Sequence, residues 1–389
     1  MTRGTSGAVA LLASVLLAAC TGHGSGTGAA SPSVDPSNPY FNRAEFERQL
    51  AQRQAAPQGD PSAPWLQAID PSYVDTARYA RPGRWRICFS HAGTRTPREA
   101  TGLNTMRAEA KLHDQIGSFN VLDAHGDDTQ QVADIEKLLA QGCDALIVAP
   151  GSTGPLTTAV LSACEQKVPV VVFERRVDTA CPVTYVHPVG GYAFGASAAE
   201  FLTQHMTRGG KVLVLRTQPD VDVYESRWAA AKVIFDSAGA EVVGTEFTGG
   251  DRSRMKGIVA DYVQRVGRID GVWMDAGTTA AATVTAFEDA GAPVPPINGE
   301  DQQDFLELWQ SRHLTAIAPT DPVYSWRTAL IAATDILAGN RVPREWVLPQ
   351  PVITADNLAR YLRSGMPPLF YPTCGCQQMP NFPTAWGGR

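Results

Sequence analysis

The 389-residue chain has no apolar run long enough to cross a bilayer, no block of basic residues, and few aromatic side chains, 8% of the total. A spanning helix needs about 20 consecutive apolar residues, so a polytopic membrane protein is excluded. Lys and Arg number 33 against 39 Asp and Glu, a net charge of −6. Without a basic stripe there is no electrostatic grip on a nucleic-acid backbone. Three catalytic signatures are also missing: the Gly-x-x-x-x-Gly-Lys-Ser/Thr phosphate loop, the Gly-x-Ser-x-Gly elbow, and paired histidines at the helical spacing of a zinc protease. Ser90 and His91 are adjacent on a predicted strand, where neighbours point to opposite faces, a poor arrangement for nucleophile and base. Nothing in the chain demands catalysis, a metal or a cofactor.

What is present starts at the N-terminus. Arg3 precedes an uncharged run from Ala8 to Ala19, and Leu17-Ala18-Ala19-Cys20 is similar to a bacterial lipobox. That likeness implies a signal peptide over 1–19 and lipidation of Cys20, with enough acyl chains for stable anchoring. An ordinary secretory signal with a chance cysteine is the rival reading. Thr21–Ser37 is a Gly/Ser/Thr/Pro tether of the kind that holds a body off a membrane. Setting Cys20 aside leaves six cysteines, which in an oxidising compartment allow up to three disulfides in any of 15 connectivities. Cys374 and Cys376 form a close pair with no further ligands at metal spacing, so a disulfide outweighs zinc. Cys88, inside an apolar strand, reads as a buried thiol.

Hydrophobic residues make up 44% and charged residues 19% of the chain, as in an ordinary globular protein, and its length is enough for two to three domains. Residues 20–83 are tether and polar extension, with a surface helix over Arg43–Arg53 and no visible core. From Trp85 onward, apolar strands alternate with helices. Strands are predicted at Trp85–Ser90, Asn120–Asp123, Ala145–Ala149 and Val168–Phe173, with helices at Glu99–His113, Thr129–Gln141 and Leu156–Gln166. The pattern then restarts with strands at Lys211–Leu215, Glu241–Phe247 and Gly271–Met274, and helices at Tyr224–Ala238, Arg254–Val266 and Thr278–Gly291. Gly190-Gly191-Tyr192-Ala193-Phe194-Gly195 reads as a domain crossover. Strands apolar on both faces, alternating with helices, form parallel sheets covered on both sides. The fold class is therefore α/β, with two Rossmann-like parallel-sheet units whose ligand lies outside the carboxyl ends of the strands. Tyr324–Ala338 is a further helix, and 363–389 is a Cys/Pro-rich tail.

Three segments resemble the type I periplasmic sugar-binding proteins of the ribose-binding branch, most nearly the galactofuranose-binding type of ABC-transporter receptor. They are Ile87-Cys88-Phe89-Ser90-His91-Ala92-Gly93, Ala140-Gln141-Gly142-Cys143-Asp144 through Pro150, and Val168 through Phe173-Glu174-Arg175. The resemblance covers about Arg84 to Leu362. It implies two lobes joined by three crossovers (84–187 with 319–346, and 188–318 with 347–362) closing on a monosaccharide. It also implies a monomer that hands its ligand to an ABC permease and ATPase, or, alternatively, a sensory receptor of the same fold. An extracellular enzyme using cleft carboxylates ranks below both.

Carried over residue by residue, the resemblance implies ligand contacts from Ser90, Arg98, Glu99, Glu174, Arg175, Arg227, Arg252, Asp275 and Asp301. Guanidinium forks and carboxylates together suit a polyol, because each hydroxyl can both donate and accept. Arg98 and Arg252 stand where the family usually has aromatics, Glu99 replaces an Arg, and Pro319 stands where a relative has Gln. Two extra arginines in the pocket lead to the expectation of a polar or anionic carbohydrate derivative.

Overall fold

A computed structural model describes residues 38–389. The signal peptide 1–19, the lipidation site Cys20 and the tether to Ser37 lie outside the described residues. Among those described, no helix is long and apolar enough to cross a membrane.

The chain begins with α1 (Arg43–Gln54) and β1 (Tyr73–Val74). The first α/β unit follows: β2 (Trp85–His91), α2 (Pro97–Ala110), β3 (Ile116–Asp123), α3 (Asp128–Ala140), β4 (Ala145–Ala149), α4 (Thr153–Glu165), β5 (Val170–Phe173) and β6 (Thr184–Pro188). The second comprises α5 (Gly191–His205), β7 (Lys211–Arg216), α6 (Asp222–Ala238), β8 (Glu241–Phe247), α7 (Met255–Val266), β9 (Gly271–Met274), α8 (Ala280–Asp289), β10 (Ile297–Asn298), α9 (Gln303–Arg312) and β11 (Ala316–Pro319). The chain closes with α10 (Ser325–Ala338), β12 (Val342–Pro343), β13 (Glu345–Leu348) and β14 (Val352–Ile353).

Two six-stranded sheets result, in the orders β13-β6-β5-β4-β2-β3 and β14-β11-β10-β9-β7-β8. All pairings within them are parallel except β11 with β14. The central strands β4, β5 and β9 are buried along their whole length, which is why their sequences are apolar without alternation. The chain passes between sheets after β6, after β11 and between β13 and β14. Because β13 pairs with β6 through Leu348, the last crossover lies at 349–351, a few residues beyond the border expected at 346.

Helix ends follow their sequences. Thr96 and Glu99 form a reciprocal capping box on α2, Asp127 caps α3, and Gly239 ends α6 in a left-handed conformation. The glycine-rich stretch expected to be only a crossover is mostly helix. After Gly190 the chain enters α5, and its small residues let α5 lie close against α6. A methyl on Gly195 would sit 1.9 Å from the Arg227 carbonyl oxygen.

The segment from Phe46 to Trp65 and the C-terminal tail are both part of the body, against the expectation of a coreless extension. Phe46 of α1 is buried with Tyr192, Ala196, Ala229 and Ala230 on α5 and α6. Trp65, Met366, Phe370, Tyr371 and Trp386 are buried in the same cluster as Phe89, Trp326 and Leu330 of the first lobe. Trp386 Nε1 donates to Thr105 Oγ1 on α2 at 3.1 Å, and the Gln303 and Asp304 amides of α9 donate to the Phe370 and Pro368 carbonyls. The tail thus touches both lobes. The cysteines pair as Cys88–Cys143, Cys164–Cys181 and Cys374–Cys376. Cys88 is therefore not a free thiol, because β2 and the loop after α3 bring its partner to a Cα separation of 5.8 Å.

Candidate functional site

The carboxyl ends of the two sheets and the second crossover bring five charged side chains into one ladder. Glu174 follows β5 with φ of 63°, a left-handed conformation that is uncommon for a side-chain-bearing residue and clusters at functional sites. Its Oε1 accepts from Arg98 Nη1 at 2.8 Å and from the Trp326 indole at 2.9 Å. Arg98, in the first turn of α2, also donates to Asp321 Oδ1 at 3.0 Å and to the Asp321 carbonyl at 3.2 Å. The second oxygen of Asp321 accepts from Arg227 Nη2 at 2.9 Å. Arg227, on α6, reaches Glu300 at 3.0 Å and the Asp275 carbonyl at 2.7 Å. Its guanidinium lies 3.9 Å from the centre of the Phe194 ring, a cation–π contact that fixes its plane. The order is Glu174–Arg98–Asp321–Arg227–Glu300, with residues from both lobes meeting at a crossover aspartate.

Exposure is graded along the ladder. The side chains of Arg227 and Glu300 are buried, whereas Arg98, Asp321 and Glu174 retain 15%, 23% and 27% exposure. Burial pushes Asp321 up, but the Arg98 and Arg227 guanidiniums outweigh it and hold the carboxyl below its ordinary value. Glu174 and Glu300 are raised, each by burial first and by the neighbouring Asp321 charge, against Arg98 for Glu174 and against Arg227 and Arg98 for Glu300. With all five groups ionised, three carboxylates face two guanidiniums, leaving one negative charge.

The remaining expected residues fall elsewhere. Asp275 accepts from the Thr217 amide and hydroxyl at 2.8 and 2.7 Å, with Arg216 Nε 3.5 Å from its other oxygen; burial raises its pKa to about 6. Asp301 accepts from the Thr373 amide at 2.9 Å and hydroxyl at 2.5 Å, clamping the tail, and burial likewise raises it to about 6. Glu99 spends one carboxylate oxygen on the Arg95 and Thr96 amides in the α2 cap. Arg175 donates to the Gly151 carbonyl at the neighbouring strand end, outside the ladder. Ser90 is fully buried in β2, its hydroxyl without a partner among the described residues. Arg252 pairs with Asp304 at a separate shallow depression between α8 and α9. Of the nine residues, the ladder thus joins Arg98, Glu174 and Arg227, with Asp275 touching it through its backbone.

Sequence reasoning missed Asp321, Glu300, Tyr224 and Tyr371. Tyr224 is half-buried on α6 and pushed up to about 12 by burial, within range of the Arg227 and Glu300 charges. Tyr371 comes from the tail, and burial together with Glu300 and Asp301 raises it as well. The polar Thr320-Asp321 directly after the apolar strand Ala316–Pro319 was the available signal, since strand ends hold ligands in such sheets. No group of three or more candidate metal ligands occurs among the described residues.

Residues 102–341 match the periplasmic binding protein domain. The ribose import binding protein of Bacillus subtilis is 28% identical over 224 residues, 58% of this chain and 73% of that protein. The xylitol-binding protein of Mycolicibacterium smegmatis is 22% identical over 60% of this chain and 68% of its own length. Among solved structures, an ABC transporter solute binding protein from Bacillus halodurans with bound myo-inositol superposes with a TM-score of 0.64 at 20% identity. That match covers 72% of this chain and 98% of the other.

Proposed function

The chain belongs to the periplasmic binding protein domain family, and on that premise we propose that it is the extracytoplasmic receptor of an ABC importer, taking a neutral sugar or polyol between its lobes. The ladder carries this reading. It lines the strand ends of both lobes and one crossover with alternating donors and acceptors, the pattern hydroxyl groups satisfy. Tyr224 supplies a half-buried ring for the apolar face of a sugar.

The same ladder argues for the polar and against the anionic alternative expected from the sequence. Arg98 and Arg227 are each already held by two carboxylates, and the excess charge is negative. An added carboxylate or phosphate would have to displace an acid from a buried pair. Ribose, xylitol and myo-inositol, the compounds named with the similar proteins, are dense in hydroxyls and uncharged. Closure of the lobes is the step that presents the ligand to a permease and its ATPase. The lipobox-like Leu17–Cys20 supports attachment to the outer face of the membrane through Cys20.

Thermal unfolding of the purified protein against neutral sugars, polyols, sugar acids and sugar phosphates tests this. A ligand at a hundredfold excess over Kd stabilises by about 2.7 kcal/mol. Stabilisation by neutral compounds is expected. Stabilisation by anions alone overturns the assignment of charge, and silence across the panel overturns the sugar reading.

A further inference from the structure

A second concavity lies at the crossovers, apart from the ladder. Its volume is about 540 Å³, within the range of small-molecule sites. Its walls come from three sources: the N-terminal segment (Gln52, Pro57, Trp65), the crossovers (Val189, Tyr324, Pro349–Pro351) and the C-terminal segment (Tyr361, Arg363, Thr373). The first and third sources lie outside residues 102–341, the part of the chain that matches the family domain.

The lining chemistry differs from that of the ladder. Prolines and aromatic rings make the walls, glutamines supply the polar groups, and no Asp or Glu lines it. Two arginines do. Arg53 is neutralised by Glu200 through contacts of 2.9 and 3.1 Å. Arg363 has no carboxylate partner among the described residues; its guanidinium donates to the carbonyls of Arg360 at 2.6 Å and Leu362 at 2.8 Å. Asp301 is fully buried and held by the amide and hydroxyl of Thr373. Gln52, only 9% exposed, has a buried carboxamide oxygen that finds no donor within the described protein. A half-buried arginine on a cavity wall that carries no acid is matched by one carboxylate.

We propose that this cavity is a second binding site, for a small organic carboxylate with a flat apolar body, whose acid group is held by Arg363. Its occupant differs from that of the cleft in charge, and the site stands whether or not the cleft takes a sugar.

Calorimetric titration of the purified protein with benzoate, phenylacetate and indole-3-acetate tests it, with benzamide as the uncharged isostere. At least one carboxylate binds, benzamide binds at least about tenfold more weakly, and Arg363→Met weakens the carboxylate by a similar factor, as expected for a lost charge-assisted hydrogen bond. Arg363→Lys keeps the charge and retains part of the affinity, which keeps the test decisive if Arg363→Met fails to fold. Arg98→Met, in the ladder, leaves carboxylate binding unchanged. No binding by any of the acids, equal binding by Arg363→Met, or loss in Arg98→Met instead overturns the proposal.

Discussion

The ladder and the crossover cavity share one stretch of chain, Asp321 to Tyr324, yet have opposite chemistry. In the ladder every arginine is bracketed by carboxylates, and the surplus is one negative charge. In the cavity the lining holds no carboxylate, and one guanidinium is left to backbone carbonyls. The comparison teaches that an arginine count says little about ligand charge until the partners of each arginine are known. Arg98 invited an anionic reading from the sequence and is neutralised in three dimensions. Arg363 drew no notice there and, among the described residues, has no acid partner.

The largest expected effect comes from cutting the ladder at its centre. Asp321→Asn leaves Arg98 and Arg227 sharing a neutral amide, and breaking a buried pair in this way costs of order 3 kcal/mol. Denaturant unfolding should show it, and a loss below about 1 kcal/mol would mean that the ladder is solvated. Gly195→Ala acts one step away by pushing α5 off the Arg227 backbone. Overpacking costs about 1–3 kcal/mol, and cleft affinity should fall with it while carboxylate binding at Arg363 persists.

Acidity sharpens the comparison next. Asp275 and Asp301 have folded values near 6, above the ordinary value of about 3.9. The folded state therefore binds more protons than the unfolded one between about pH 4 and 6. Their stabilising contribution is complete below pH 4 and is lost as pH rises through 6. Glu345 runs the other way. Hydrogen bonding from His187 leads a set of contacts that lower it to about 2, so its contribution is present above about 4.5 and lost as pH falls toward 2. The denaturation midpoint should rise as pH drops from 7 to 5 and decline below about 4, and Asp301→Asn should flatten the rise. The smallest effect is expected at the periphery. Arg252→Gln removes only a partly exposed pair with Asp304, so stability should change by less than about 1 kcal/mol and cleft affinity by less than about twofold.

The parallel sheets were legible because Ala145–Ala149 and Gly271–Met274 are apolar on both faces, a pattern that burial between helices imposes. The start of β3, Ile116–Phe119, escaped because it is only half covered and reads as mixed. Helix α5 escaped because its glycines serve contact with α6 rather than a turn. In the site, Arg98, Glu174 and Arg227 were reachable through strand-end position and resemblance. Asp321 had the same strand-end signal after Ala316–Pro319 and was passed over, whereas Glu300 follows a strand of two residues, too short to register as a periodic signal. Tyr371 could not be placed, because only the folded tail carries it beneath the cleft.

The tail also bears on the order in which the molecule assembles. The first lobe's core takes Trp65 from one end of the chain and Met366, Phe370 and Trp386 from the other, contacts separated by some of the longest loops available. Most of the second lobe lies within residues 191–319. The second lobe can therefore close first, while the first lobe must wait for Met366, Phe370 and Trp386 to dock. Such non-local closure is slow, and until it happens the N-terminal half remains pliable and unfinished.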